Sequence, residues 1–273
     1  MEQLESFERL CLNQATTQRW NLREAVEGCV RAGIPWIGLW RNKIAEIGLK
    51  GSRQLVRDAG LRVSSMIAGG YFPTVSAAER QKRLDENRRA IEEAAELEAE
   101  VLVLVGGGIP DRDIDCARKC VAEGIEQLVP YAKSYGVKLG IEPLHPMYAA
   151  ERSVVVTLAQ ANDLAKSYRP DEVGVVVDVF HVWWDPDLYH QIALAGERIL
   201  GFHVSDWVVP FSHFLLGRGM MGDGVIELRR IRKALDAAGY QGPIEVEIFN
   251  QAIWDQPGDE VLAVIKERYL EHL

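Results

Sequence analysis

The chain has 273 residues, of which 48% are hydrophobic and 26% are charged, and its formal net charge is −9. This balance is typical of a globular protein with a large core, and no window approaches the roughly 18 uninterrupted apolar residues of a membrane span. The acidic balance disfavours a nucleic-acid partner, because nucleic acids are bound largely through lysine and arginine at phosphates.

Short β-rich apolar runs alternate with longer segments of helical period along the chain. The predicted strands are residues 9–14, 36–40, 61–68, 101–107, 137–144, 173–179, 199–206 and 243–249. The predicted helices are LREAVEGCVRAG after the first strand, a helix ending at 58–60, then 76–98, 113–135, 157–168, 187–198, 227–238 and a last helix from Asp259. Runs such as VLVLV and VGVVV are typical of parallel strands that are covered on both faces.

Eight strands that alternate with helices predict an α/β fold, a single (β/α)8 TIM barrel spanning residues 1–273, and the length is close to the roughly 250 residues usual for such barrels. A doubly wound open sheet of eight strands is the alternative. The chain has no GxGxxG after its first strand and no Pro/Gly/Ser-rich linker, which favours the barrel.

The four cysteines form no CxxC pair, so we expect reduced packing cysteines rather than a disulfide or a zinc site. The start of the sequence, MEQLESFERL, is acidic and polar and does not resemble a secretory signal. The absence of such a signal leads us to expect a cytoplasmic protein.

Each of the last four predicted strands carries an ionisable group where its apolar run stops. These residues are Glu142, Asp178, His203 and Glu247, with Glu245 as a weaker candidate on the last strand. In a parallel barrel these strands are neighbours and open at one face, so we expect the four side chains to converge. One such residue is as easily a helix cap or an arginine partner, but four in consecutive strands favour one divalent metal ion: manganese, magnesium, zinc or cobalt.

At these residues the sequence resembles the sugar phosphate isomerase/epimerase superfamily of xylose-isomerase-like TIM barrels, and within it the ketohexose 3-epimerases and the inosose dehydratase and isomerase group. The segments that carry the resemblance are GIEPLHP, VVVDVFHVWW, GFHVSDW, GRGMMGDGVIEL and IEVEIFN. The resemblance covers nearly the whole chain, is specific for the superfamily and does not select a substrate.

The resemblance implies a role for several residues. Glu142, Asp178, His203 and Glu247 match the metal ligands, and Glu142 and Glu247 also match the two carboxylates that exchange protons with the substrate in the epimerases. His181 and Arg218 match residues that contact substrate oxygens. For His145 we predict a partner of Glu142 or a substrate contact, and for Asp206 either an orienting partner of His203 or a substrate contact.

A metal bound by two neighbouring oxygens of a hydroxy-ketone polarises the carbonyl and stabilises the enediolate that forms on deprotonation. The prediction is therefore a metal-dependent isomerase or epimerase acting on a sugar, keto-sugar or cyclitol, with paired glutamates as acid and base. A dehydratase or lyase acting on a keto-sugar or inosose is the nearest alternative.

Two alternatives come from other classes of protein. A non-catalytic sugar-binding barrel would retain the ligands without turnover. A nuclease of the endonuclease-IV type would need additional histidines on the first four strands, which contain none. The loop 208–222 carries Phe211, Phe214 and Leu215 and predicts a lid or a contact in a homo-oligomer.

Overall fold

A computed structural model describes residues 4–273 of the chain. Eight parallel strands close into a barrel in which β1 pairs with both β2 and β8 and every other strand pairs with its neighbours in sequence. The strands are β1 (Leu10–Asn13), β2 (Trp36–Trp40), β3 (Arg62–Gly70), β4 (Val101–Val105), β5 (Leu139–Glu142), β6 (Val173–Asp178), β7 (Ile199–Val204) and β8 (Ile244–Val246). The predicted (β/α)8 barrel is thus confirmed, and the open sheet is excluded.

Eight helices of eight or more residues lie outside the barrel. They are α1 (Leu22–Ala32), α2 (Leu49–Asp58), α3 (Ala77–Glu96), α4 (Ile114–Ser134), α5 (Leu158–Ala165), α6 (Leu188–Ala195), α7 (Leu228–Ala237) and α8 (Gly258–His272). Helix α1 begins with a reciprocal Asn21–Glu24 capping box and ends at Gly33, whose φ of 67° suits glycine. Among the described residues, no helix is both long and apolar enough to cross a membrane.

Several short elements were not predicted. They are the helical turns Arg41–Ile44, Val179–Val182 and Gln251–Trp254, the 3-10 turns Pro146–Tyr148 and Gly196–Arg198, and a hairpin of Asp206–Trp207 with Arg218–Gly219. Most of them lie in the loops that follow strands of the barrel. They are too short to show a periodicity of their own, and the apolar pattern therefore does not reveal them.

The strands alternate between two cores. Leu102 and Leu104 of β4 belong to the layer packed against the helices, whereas Val101 and Val103 belong to a separate cluster that includes Val176. That cluster fills part of the barrel interior, as branched aliphatic residues usually do in this fold. The same alternation turns Glu245 and Glu247 inward, because Ile244 and Val246 beside them lie in the helix-facing layer.

Candidate metal centre

Four ionisable side chains meet at the carboxyl end of the barrel. Glu142, Asp178, His203 and Glu247 each offer one ligand atom, and these atoms all lie within 4.8 Å of one another. Glu142 and Asp178 are the last residues of β5 and β6, His203 lies near the end of β7, and Glu247 directly follows β8. All four are buried, so the convergence expected from the strand order is present in the structure.

Three buried atoms of this cluster, Glu142 Oε1 and both ring nitrogens of His203, have no hydrogen-bond partner among the described residues. Two of them, Glu142 Oε1 and His203 Nδ1, lie 3.0 Å apart. Buried polar atoms normally have a hydrogen-bond partner, so such an orphaned pair needs an explanation. A divalent ion would explain this pair, because the ion would bind both atoms and offset the repulsion among the three carboxylates. A ligand set of three oxygens and one imidazole suits manganese, magnesium, zinc or cobalt.

Arg218 joins two of the four residues. Its Nη1 donates to Asp178 Oδ2 at 2.9 Å and to Glu247 Oε2 at 3.0 Å, and its guanidinium lies between the rings of Phe180 and Phe249. Burial raises the pKa of Asp178 and of Glu247, while Arg218 opposes the shift in both. The predicted substrate-contacting arginine is thus in direct contact with the carboxylate cluster.

The cluster also perturbs its histidine. Burial lowers the pKa of His203, but Glu245 and Glu142 more than offset this effect and raise it to about 10. The surroundings of the ring therefore favour a positive charge, and a proton competes with a metal ion for the ring nitrogen.

His181 is buried beside Arg218. Its Nδ1 accepts a hydrogen bond from the backbone N–H of His145 at 3.1 Å, and its Nε2 is 3.1 Å from Arg218 Nη2. Burial and the neighbouring guanidinium lower the pKa of His181 well below its usual value, which favours the neutral ring. This places an imidazole at the edge of the metal centre, where the substrate contact was predicted.

The two remaining predicted residues make local contacts. Asp206 accepts hydrogen bonds from the backbone N–H groups of Trp207, Gly222 and Ile226, at 2.8 to 3.0 Å, so its carboxylate holds the following loop rather than bonding to His203. His145 caps the 3-10 turn through Nδ1, which accepts from Met147 N at 3.2 Å. Its ring lies among those of Trp184 and Trp207 at the rim.

A small cavity of about 30 Å³ lies over the cluster. It is lined by four predicted site residues, Glu142, Glu247, His181 and Arg218, and by Leu215 of the predicted lid. The other lining residues are Trp40, Ile67, Ala68, Tyr71, Val105, Leu144, Tyr148, Arg152 and Phe249. Ala68 and Tyr71 also line an adjoining cleft of about 770 Å³. In the sequence, Ala68 and Tyr71 stand out only by their position at the end of β3 and directly after it. Active sites in such barrels are built at the carboxyl ends of the strands.

The loop predicted as a lid or an oligomer contact lies over this cavity. Leu215 lines the cavity, and Tyr148 Oη donates to the carbonyl oxygen of Phe214 at 2.5 Å. Phe211 stacks on Trp207 with ring centroids 4.3 Å apart. Ligand pockets usually measure 300–1,000 Å³, so the 30 Å³ cavity alone is too small for a typical ligand, whereas the adjoining cleft has the usual size.

Two curated relatives are similar over most of this chain. Inosose isomerase of Bacillus velezensis is 25% identical over 271 residues, which cover 95% of each protein. A 3-dehydroshikimate dehydratase of Pseudomonas aeruginosa is 27% identical over 272 residues, which cover 92% of this chain and 41% of that protein. These relatives are enzymes, and the chain is an isomerase/epimerase-like enzyme.

Two solved structures share the fold. Protein SMc04130 of Sinorhizobium meliloti 1021 is 49% identical, with a TM-score of 0.96 over 98% of this chain and 99% of its own. The IOLI protein, whose crystal structure contains a zinc atom, is 22% identical, with a TM-score of 0.84 over 96% and 97% of the two chains. The family model described as xylose isomerase-like TIM barrel matches residues 26–268, and the chain belongs to that family.

Proposed function

We propose that the chain catalyses the metal-dependent isomerisation or epimerisation of a sugar, keto-sugar or cyclitol. The observation that carries the proposal is the convergence of Glu142, Asp178, His203 and Glu247, with the orphaned Glu142 Oε1 and His203 Nδ1 facing each other. The similarity to an inosose isomerase and the zinc atom in the IOLI structure support the same activity and cofactor.

The four residues would hold one divalent ion, and that ion would supply a Lewis acid for the substrate carbonyl. Each glutamate has a second oxygen with which to exchange a proton. Glu142 and Glu247 come from β5 and β8, which lie three strands apart around the barrel and on either side of Asp178 and His203. They are therefore suited to take a proton from one side of a substrate and return it on the other side or to a neighbouring carbon.

Two further residues would orient the substrate. The lowered pKa of His181 favours a neutral ring, and its Nε2 lies 3.1 Å from Arg218 Nη2. Arg218 is fixed by Asp178, by Glu247 and by the carbonyl oxygen of Glu247, to which its Nη1 donates at 3.1 Å. A positive charge held in this way would stabilise the negative charge that develops on a substrate oxygen.

Dehydration is the second candidate activity, because the dehydroshikimate dehydratase aligns over 92% of this chain. It uses the same first step, removal of a proton next to a carbonyl, but ends with loss of a hydroxyl group. The two activities are distinguished by their product: isomerisation and epimerisation conserve the mass of the substrate, whereas dehydration removes one water and leaves a conjugated double bond.

The test is solvent-exchange spectroscopy on the purified, metal-supplied protein in deuterated water, over a panel of ketoses, inososes and 3-dehydroshikimate. We expect deuterium to enter the carbon next to the carbonyl of at least one compound, and a chelator to stop the exchange. Metal-loaded protein that exchanges no compound and forms no product would contradict the proposal and favour a sugar-binding barrel.

A further inference from the structure

A fifth ionisable residue, Glu245, lies in the barrel next to the metal centre. It precedes Glu247 by two residues on β8 and faces the same side of the strand. The strand register pairs it with Cys11 of β1 and with His203 of β7. Its side chain is only 2% exposed, so this carboxylate lies in the interior rather than at the open mouth.

The hydrogen bonds to Glu245 come from neutral groups. Asn13 Nδ2 donates to Oε1 at 2.6 Å, Ser64 Oγ donates to Oε2 at 2.6 Å, and Ser65 Oγ donates to Oε1 at 2.9 Å. A buried carboxylate is costly unless it also has a counter-charge. Among the described residues, the basic side chain paired with it is His203, whose Nε2 is 3.6 Å from Oε2.

The two nitrogens of His203 therefore face opposite carboxylates. Nδ1 lies 3.0 Å from Glu142 Oε1, on the side of the predicted ligands, and Nε2 faces Glu245. A histidine that binds a metal through one nitrogen usually donates the proton of the other to an oxygen, which sets its tautomer and the direction of its lone pair. Glu245 Oε2 lies on the side of that oxygen, 3.6 Å from Nε2, and Nε2 has no hydrogen-bond partner among the described residues.

The same network reaches a second predicted ligand. Asn13 Nδ2 also donates to Glu247 Oε1 at 3.2 Å, while Asn13 Oδ1 accepts hydrogen bonds from Trp40 Nε1 and from the backbone N–H of Ala15. The amide is thereby held in one orientation. Gly38 of β2 leaves room for Glu245, because a Cβ at this position would lie 1.9 Å from Oε1.

We propose that Glu245 is a positioning residue that directs His203 Nδ1 toward the metal ion by accepting the Nε2 proton, and that Asn13 couples this carboxylate to Glu247. The inference rests on the proposed metal site and adds to it a residue that does not touch the ion. The proposed role needs no charged group other than Glu245. A neutral imidazole that binds the ion through Nδ1 carries its proton on Nε2, and Glu245 would accept that proton in a hydrogen bond.

The test is a titration of metal-free protein with Co²⁺, followed by visible absorption, which reports both the affinity and the ligand geometry. Glu245→Gln keeps the size of the side chain but removes its charge. We expect cobalt affinity to fall by about 10- to 100-fold, with a changed absorption spectrum and an unchanged circular dichroism spectrum.

Ser65→Ala is the matched control, because it removes one hydrogen bond to Glu245 and leaves the carboxylate facing His203. If Glu245 acts through His203, this variant binds cobalt with the wild-type spectrum and nearly the wild-type affinity. If Glu245→Gln also binds cobalt as the wild type does, the inference is overturned. A wild-type protein that binds no cobalt would instead contradict the metal site itself.

A second measurement needs no variant. In wild-type protein with ¹⁵N-labelled histidine and bound Zn²⁺, the nitrogen chemical shifts distinguish the metal-bound from the protonated ring nitrogen. We expect His203 to bind through Nδ1 and to carry its proton on Nε2. Coordination through Nε2 would overturn the inference whatever the behaviour of Glu245→Gln.

Discussion

The barrel interior has two parts of opposite chemistry. One part is aliphatic and is formed by Ile67, Val101, Val103 and Val176 from β3, β4 and β6. The other part is polar. It is formed around Glu245 by Asn13, Ser64, Ser65 and His203, and it continues into Asp178 and Glu247 at the open end of the barrel. Branched aliphatic residues usually fill such a barrel, so the polar part lacks the apolar packing that is usual there. A buried carboxylate in this part lowers stability unless its hydrogen-bond partners and counter-charge are well placed.

The comparison indicates what each part is for. Substitutions in the aliphatic part should change the stability of the fold and leave the site chemistry intact. Substitutions in the polar part should change metal binding or turnover more than stability. Four measurements of free energy test this division.

The largest effect is expected for Glu247→Gln. Loss of a proton-exchanging carboxylate should lower the turnover of an active substrate by about a thousandfold, which corresponds to about 4 kcal/mol in the activation free energy. Steady-state kinetics measures it. Glu151→Gln, which changes an exposed glutamate in the loop after β5, is the control and should retain activity. A Glu247→Gln variant with wild-type turnover would show that Glu247 does not exchange a proton with the substrate.

The next effect concerns metal removal. With the metal ion at one hundred times its dissociation constant, binding to the folded state should raise the free energy of unfolding by about 2.7 kcal/mol, and a chelator should reverse this. Thermal or urea unfolding with and without chelator measures the difference. Asp178→Asn should unfold identically under both conditions; a variant that still responds to the chelator would show that the ion binds elsewhere.

A smaller effect on stability is expected in the aliphatic part. Val103→Ala removes two buried methyl groups and leaves a cavity, which should lower the free energy of unfolding by about 2 kcal/mol. Urea denaturation measures it, and turnover should be unchanged. Val30→Ala is the control, because Val30 is 51% exposed, and it should shift stability by no more than about 0.5 kcal/mol. Loss of activity in Val103→Ala would mean that the two parts are coupled.

The smallest effect is expected outside the barrel. Arg31 Nη2 and Asp259 Oδ1 form an ion pair of 2.8 Å between α1 and α8, with side chains 52% and 64% exposed. Exposed pairs contribute little, so a double-mutant cycle to alanine should give a coupling of about 0.5 kcal/mol. If the coupling free energy of this pair exceeds the loss of unfolding free energy in Val103→Ala, surface ion pairs contribute more to the stability of this fold than packing in the interior.

Much of the architecture is present in the local pattern of the sequence. Runs such as VLVLV are apolar at every position because one set of side chains faces the helices and the other faces the interior. The four cluster residues are visible for a related reason: Glu142, Asp178 and His203 are each the first ionisable residue after such a run, and Glu247 ends a strand that already carries Glu245. Strand order alone then brings Glu142, Asp178, His203 and Glu247 together.

Other parts of the site depend on contacts that no local pattern contains. The sequence indicates only a weaker ligand candidate at Glu245, because its partners Asn13 and Ser64 are 232 and 181 residues away. Asp206 was expected to orient His203 or to bind substrate, but backbone N–H groups of a loop that has no repeating pattern engage its carboxylate. Long-range hydrogen bonds of this kind are fixed by the closed barrel and not by neighbours in sequence.

The attachment of the loop that carries Arg218 has a consequence for how such a site diversifies. Asp206 binds the backbone on both sides of the loop, and Asn250 Nδ2 donates to the carbonyl oxygen of Arg218 at 2.8 Å. These contacts secure the base of the loop independently of its tip, residues 209–216. Insertions, deletions or grafted segments at the tip can therefore alter which ligands enter while the guanidinium stays in place, which makes this tip the natural place to engineer substrate range.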